Sequence, residues 1–224
     1  MSKAMRERME EIKSYMHKMS QLALEAISQG VTSFVELDQK LASRVIKDDA
    51  KQDELDDIVE KACVRCIALH QPVASDVRKL IVYIKAINDL RRIGRYGYNI
   101  ALLTKRMKGL KHFKRLIKIP EMSRLTISMT QTAIHALLSE DAKTLKMLKE
   151  DDETVDDMME ELFREVITYT LEDPRRITVA MNYILAGRYL ERAEDHALAI
   201  GYNTRYLVTG RRTISKRHEE KRIR

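Results

Sequence analysis

The sequence has no Trp, only three Pro and only seven Gly in 224 residues. Because Gly and Pro are the residues that most often interrupt helices, their scarcity predicts long helices with few breaks. No apolar run approaches the ~20 residues that span a bilayer, which argues against a helical membrane protein. The amino-terminal residues 1–8 are charged and lead into no apolar stretch. We therefore expect no signal peptide and a cytoplasmic location.

Cysteine is equally scarce, with Cys63 and Cys66 as the two thiols. Two cysteines cannot form a disulfide framework, and they suit a reducing cytosol. Their C-x-x-C spacing falls inside a predicted helix without a βαβ context, which favours two small core residues over a redox pair. Neither a glycine-rich phosphate loop nor a Ser-x-x-Lys nucleophile pattern is present, so the sequence predicts no enzyme.

The positive charge is concentrated in two short segments, although the net charge of the whole chain is only +7. Residues 105–118 hold seven Lys or Arg and no acid, and residues 211–224 hold seven Lys or Arg against two Glu. The remaining body is acidic. A nucleic-acid binder usually carries its basic stripe on a folded face with base-reading side chains, so we expect no direct contact with nucleic acid. The tail at 211–224 is predicted to be a flexible, solvated terminus.

Hydrophobic residues recur with helical spacing along nearly the whole chain. Gly30 is a plausible stop for the first helix, and Asp173 with Pro174 has the residue types of an N-cap and a first helical position. We predict six helices. The first ends at Gly30, the second runs from Ser33 to His70, and the third begins at a cap formed by Ser75 or Asp76. The fourth spans Glu121 to Leu138, the fifth spans Asp141 to Thr170, and the sixth runs from Asp173–Pro174 to Gly210.

A shift of 100 residues aligns the second and third helices with the fifth and sixth without a gap. Polar positions coincide as well as apolar ones: Asp56 aligns with Asp156, and Arg92 with Arg192. Shared helical periodicity alone would not require such a match. The sequence therefore predicts an all-α fold of six long helices, arranged as two tandem pseudosymmetric three-helix bundles. We expect the first repeat at 1–110, the second at 111–210 and the tail at 211–224.

Two pairs of acidic residues in the second repeat have metal-ligand character. Asp152 and Asp156 are four residues apart on one predicted helix, and Glu191 and Asp195 are four apart on the next, so each pair shares a helix face. If the two faces meet, four carboxylates converge and require cations to offset their repulsion. Oxygen ligands suit magnesium, calcium or manganese, and carboxylates also hold iron. His196 points about 100° away from Asp195 around the helix, which disfavours it as a ligand.

The same acidic pattern is also typical of a solvated helix face. In that interpretation Glu194, Arg188 and Arg192 take part in ordinary surface ion pairs. The two interpretations stay open at the level of the residues alone.

The aligned positions in the first repeat carry the opposite charge. Asp53 and Asp56 lie on the second helix, but the third helix presents Arg91 and Arg95. Guanidinium groups next to carboxylates supply the countercharge internally. We predict a salt-bridge cluster of these four residues in place of a first metal site.

Several separated motifs, in order, resemble the PhoU family. Residues 71–78 (QPVASDVR) resemble the turn between its second and third helices. Residues 89–95 (DLRRIGR) and 189–195 (YLERAED) look like its two L-E-R-I-G-D signatures, and residues 206–210 (YLVTG) resemble its characteristic ending. The resemblance covers about residues 10–210.

This resemblance implies two tandem three-helix bundles that bind metal through Glu/Asp-x-x-x-Asp motifs. Glu191 and Asp195 match the second motif, with Asp152 and Asp156 as partners, and the metal would be iron, manganese, zinc or magnesium. The family resemblance also implies a homodimer and a negative regulator of phosphate uptake and signalling. Its partners would be the ATP-binding subunit of the phosphate ABC transporter and a sensor histidine kinase, so that it is peripheral to the membrane through its partner.

Two departures from the family pattern are visible. Arg91 and Arg95 replace the Glu and Asp of the first motif, which puts the first metal cluster in doubt. In the second motif Ala193 and Glu194 replace Ile and Gly, which adds a possible carboxylate. The first departure leaves an alternative open: a helical interaction protein that regulates a different transporter or a transcriptional complex. A metal-dependent hydrolase is a third hypothesis, for which the sequence offers no identifiable general base.

Overall fold

The computed structural model describes residues 3–212, and the basic tail from 213 onward lies outside the described residues. Within that range the chain is helical, and two short 3₁₀ turns at 142–144 and 174–176 precede the last two helices. The α-helices are α1 (Lys3–Glu36), α2 (Gln39–Asp48), α3 (Ala50–His70), α4 (Ala74–Arg106), α5 (Lys118–Ser139), α6 (Leu145–Glu172) and α7 (Ile177–Thr209).

The helices form two groups, α1–α4 and α5–α7, which confirms the predicted fold class; in the first group α2 and α3 together take the place of one long helix. Helix α4 packs against α1 and against α2 and α3, and α7 packs against α5 and α6. The two groups meet where α4 crosses α7 and where α1 lies beside α5. One continuous cluster of buried apolar side chains runs through both groups. Among the described residues no helix is long and apolar enough to cross a membrane.

Residues 100 positions apart occupy equivalent places in the core. Tyr83 and Tyr183 are both fully buried, and so are Leu90 and Leu190. The repeat that the sequence predicts is therefore also a repeat of side-chain environment.

The predicted end of the first helix at Gly30 is wrong, because α1 continues to Glu36. Gly30 instead marks the place where α1 crosses α4. A Cβ atom added at Gly30 would lie 2.4 Å from the carbonyl oxygen of Gly97, so the two backbones approach too closely for any side chain.

The predicted single helix from Ser33 to His70 is also interrupted. Leu37 has a positive φ of 55°, which ends α1. Asp38 then caps α2 by accepting hydrogen bonds from the backbone N–H groups of Lys40 (2.8 Å) and Leu41 (3.0 Å). A second break at Asp49 separates α2 from α3.

The other predicted helix boundaries had mixed outcomes. Helix α4 begins at Ala74 with Val73 in extended conformation at its start, so neither Ser75 nor Asp76 is the cap. Asp173 does cap the turn that leads into α7, through the backbone N–H of Arg175. Gly210 ends α7 with a φ of 70°, which only Gly adopts without strain.

Candidate metal centre

The acidic residues of the second repeat meet where α6 packs on α7. Asp152 is 5% exposed and Glu194 is fully buried. Each of Asp152, Glu194 and Asp195 offers a carboxylate oxygen, and these oxygens all lie within 4.8 Å of one another. Of the four ligands predicted from sequence, the structure thus places Asp152 and Asp195 in this compact group.

Glu194 is the third member of the group. From the sequence it is either a surface ion-pairing residue or an additional carboxylate of the second motif, and the structure buries it completely, on the same face of α7 as Leu190 and Ala197. Neither of its carboxylate oxygens has a hydrogen-bond partner as an ionised group. A hydrogen bond to Asp152 exists only when one of the two carboxyl groups carries a proton.

Electrostatics at Glu194 follow from this burial. Desolvation, followed by the negative charges of Asp152 and Asp195, raises the pKa of Glu194 to about 11. The helical spacing alone contained the signal, because Glu194 stands four residues after Leu190 and three before Ala197, on the apolar face of α7.

Glu191 is buried but already has a basic partner. Arg188, one turn earlier on α7, donates hydrogen bonds from one nitrogen to both carboxylate oxygens of Glu191, at 2.6 and 2.9 Å. Asp156 lies one turn along α6 from Asp152 and is partly exposed. These two predicted ligands therefore lie outside the compact group of three.

The first repeat carries ion pairs at the equivalent place. Arg91 lies 2.6 Å from Asp53 and 3.8 Å from Asp56. Arg95 lies 2.6 Å from Asp49 and 3.6 Å from Asp53. Asp49 is not among the residues predicted for this cluster, because no residue type in the sequence indicates the helix break that places it there.

Solvation also shapes this cluster. Burial raises the pKa of Asp49 and of Asp56, and the neighbouring arginines act in the opposite direction. Gln52 fills the space between the helices: its side-chain oxygen lies only 1.7 Å from where a Cβ of Gly94 would stand. A neutral amide and a glycine thus occupy the positions aligned with Asp152 and Glu194.

Comparison with known proteins gives this architecture a family. The model of the PhoU domain matches the chain twice, over residues 16–104 and 119–204. This chain belongs to the PhoU family. The first match covers α1–α4 from residue 16 to residue 104, and the second covers α5–α7 from residue 119 to residue 204.

Individual relatives agree over most of the chain. A protein of Aquifex aeolicus named "Phosphate-specific transport system accessory protein PhoU homolog" is 35% identical over 184 residues, 82% of this chain and 83% of the relative. A protein of Deinococcus radiodurans with the same name is 37% identical over 155 residues, 69% of this chain and 72% of the relative.

Two solved structures also match over most of this chain. The crystal structure of PhoU from Pseudomonas aeruginosa superposes with a TM-score of 0.87 at 30% identity, covering 92% of this chain and 99% of that one. PhoU from Streptococcus pneumoniae gives 0.86 at 24% identity, covering 94% and 100%. The second likeness speaks for the fold alone.

Within this PhoU fold the basic segment 105–118 (the connector) joins the two repeats and contacts both of them. One imidazole nitrogen of His112 lies 3.0 Å from the carbonyl oxygen of Phe34, and the other lies 2.9 Å from the hydroxyl oxygen of Tyr183. Lys114 pairs with Glu165, and Lys118 with Glu161. The connector therefore directs part of its charge at acidic residues of α6, a role that its composition alone did not reveal.

The remaining candidates have structural surroundings. Cys63 and Cys66 are buried in the core of the first repeat. His196 faces α4 of the first repeat, where its Nδ1 contacts Asp89.

Proposed function

We propose that this PhoU-family protein is a negative regulator of phosphate uptake and phosphate-responsive signalling. It acts as a non-enzymatic, metal-binding adaptor on the phosphate ABC transporter. The observation that carries the proposal is the double PhoU-domain match, which extends over both repeats. The name of the Aquifex aeolicus relative, an accessory protein of the phosphate-specific transport system, supports the choice of transporter.

The adaptor binds metal on the acidic face of its second repeat. Asp152 and Asp195 supply ligands, with Asp156 and Glu191 on the adjoining turns. The donor set fits a cation, because the buried oxygens of Glu194 have no basic partner beside two further carboxylates. Oxygen-only donors favour manganese, magnesium or iron, and zinc also accepts carboxylate ligands. A bound cation adds positive charge next to the buried carboxyl group of Glu194.

In the first repeat, arginine replaces metal. Arg91 and Arg95 offset the carboxylates of Asp53 and Asp56, so this half needs no cation. We propose that the two repeats divide the work, with one closed by ion pairs and the other completed by metal.

The proposed partners follow from the transporter. The protein works in the cytoplasm as a homodimer, bound to the ATP-binding subunit and thereby peripheral to the membrane, and it passes phosphate status to a sensor histidine kinase. Its helix faces contact the partners, and the adaptor itself catalyses no reaction.

Deletion of the gene in its host tests the regulatory role. Under phosphate excess, uptake of radiolabelled phosphate should rise in the deletion strain, and the wild-type gene should restore repression. Unchanged uptake would contradict negative regulation. A pull-down with the tagged full-length chain should recover the transporter ATPase, whereas recovery of an unrelated transporter or transcription factor alone would move the protein to a different pathway.

A further inference from the structure

Glu194 stands out among the acidic side chains of the described chain, because α7 buries it fully with both oxygens lacking a partner. Burial of an unpaired ionised carboxylate is strongly unfavourable, so such a group is retained where something compensates it. Its nearest polar neighbours, Asp152 and Asp195, are themselves acidic. A cation bound among these three side chains would give the unpartnered oxygens of Glu194 a partner.

The first repeat shows how the same volume is filled when no ligand is needed. There the aligned positions hold Gln52 and Gly94, and the amide of Gln52 packs directly on the glycine. The three atoms nearest to a Cβ at Gly94 all belong to this amide. The glutamate of the second repeat is thus an addition to the scaffold and is not required by the packing of the fold.

Glu191, in contrast, carries its own compensation. Both of its oxygens accept hydrogen bonds from Arg188. A carboxylate held by a guanidinium has less negative charge to offer a cation, and it would have to give up these bonds to turn towards one.

We propose that the cation of the second repeat is held by Asp152, Glu194 and Asp195, with Glu194 taking the ligand role that the family motif would give to Glu191. The inference rests on the proposed metal-binding role and names the ligands within it. The three oxygens already lie within 4.8 Å of one another, a spacing that a single divalent ion spans with ligand distances of about 2.0–2.6 Å.

Two further features make the site suitable for a hard divalent ion. Asp152 is contributed by α6 and the other two ligands by α7, so the cation ties two helices together. Asp152 and Glu194 are buried, which shields their oxygens from water and strengthens their attraction to a cation, whereas Asp195 is partly exposed. Manganese(II) is the appropriate probe, because it accepts all-oxygen sites and its free form is measured directly by paramagnetic resonance.

The test compares the full-length wild type with Glu194→Gln and Glu191→Gln, each stripped of metal by a chelator and titrated with Mn²⁺. Glutamine keeps the size of glutamate and removes its charge. We expect Glu194→Gln to weaken Mn²⁺ binding by about 10-fold or more, and Glu191→Gln by less than about 3-fold. Glu194→Gly, which installs the residue found at Gly94, should weaken binding at least as much.

Circular dichroism and the unfolding midpoint of each metal-free variant establish that the fold is intact. Equal affinity of Glu194→Gln and wild type, with loss in Glu191→Gln, would overturn this ligand assignment and leave the proposed metal role standing. A wild type that binds no Mn²⁺ in the micromolar range would overturn both. Phosphate uptake in the host reports on the regulatory role separately.

Discussion

His196 of α7 contacts Asp89 of α4, with 2.9 Å between Nδ1 and Oδ1. The same interface between α4 and α7 (the seam) holds Tyr96 and Tyr189, whose stacked rings have centroids 6.0 Å apart. Because 89 and 189, and likewise 96 and 196, are equivalent positions of the repeat, the two contacts are related by the internal pseudosymmetry. One contact is polar and the other aromatic, so the seam has diverged while its geometry has been kept.

This contact leads to the first prediction. Asp89→Ala removes the acceptor from His196, and we expect the free energy of unfolding to fall by about 1 kcal/mol. Asp57→Ala is the matched control, because Asp57 also lies on a helix but pairs with Lys61 at an exposed position. Both changes bring the same gain in helix propensity. Urea unfolding should separate them; equal stability of the two variants would show that the seam contact contributes nothing.

The second prediction concerns the crossing of α1 and α4. A Cβ at Gly97 would lie 2.3 Å from the backbone carbon of Ala26, so Gly97→Ala must push the helices apart. We expect a loss of about 1–3 kcal/mol in the free energy of unfolding, even though alanine favours helices.

The control for this variant is Gly201→Ala, which introduces the residue found at Ala101. Its added Cβ meets the end of the Leu148 side chain at 2.6 Å, and a flexible side chain moves more easily than a backbone. The melting temperature of Gly201→Ala should therefore fall less. If Gly97→Ala is as stable as wild type, the close crossing is not a constraint.

A third prediction tests the C-x-x-C spacing. Burial raises the pKa of Cys63 to about 12, from an ordinary value near 9, and burial also raises the pKa of Cys66. The stabilising effect of the protonated Cys63 thiol is fully present below pH 9 and is lost as the pH rises towards 12. At pH 8 we expect native thiols to react with Ellman's reagent about 100-fold more slowly than in urea. Oxidised glutathione should leave both thiols free, and an intramolecular disulfide in the folded protein would instead favour a redox pair.

The fourth prediction separates the two repeats by their metal content. Asp53→Asn/Asp56→Asn should retain the wild-type amount of Mn²⁺ per chain after incubation and desalting, because the arginines already neutralise that half. Asp152→Asn/Asp195→Asn should lose most of it. Elemental analysis by mass spectrometry gives both values. Loss of metal from the first variant would mean that the first repeat binds a cation despite Arg91 and Arg95.

The fold was predictable because its signals are distributed over many positions. Equivalent core residues such as Tyr83 and Tyr183 recur at a fixed interval, and helical spacing is set by the backbone itself. The predicted helix end at Gly30 is wrong because glycine can end a helix and can also let two helices cross closely. Only the contact of Gly30 with Gly97, which the sequence does not show, distinguishes these two roles. Leucine rarely adopts a positive φ, so no residue type in the sequence indicates the break at Leu37 after α1.

The candidate site was predictable only in part. The sequence identified acidic pairs by their four-residue spacing, but it could not tell which charges are buried, since that depends on how α6 and α7 face each other. The sequence therefore leaves two interpretations of Glu194 open, as a surface residue or as an additional carboxylate of the motif. Leu190 and Ala197 indicate that this face of α7 is buried, but charged residues are rarely fully buried. A prediction from sequence alone therefore tends to place a charged residue of such a face at the surface.

The continuous core that joins the repeats predicts that they unfold together. Side chains of α1 and α4 belong to the same buried cluster as those of α6 and α7. A cation that binds only the folded form stabilises whatever unfolds together with its site. Amide hydrogens of α1 that exchange by global unfolding should therefore exchange more slowly when Mn²⁺ is added, although no ligand lies in that half of the chain.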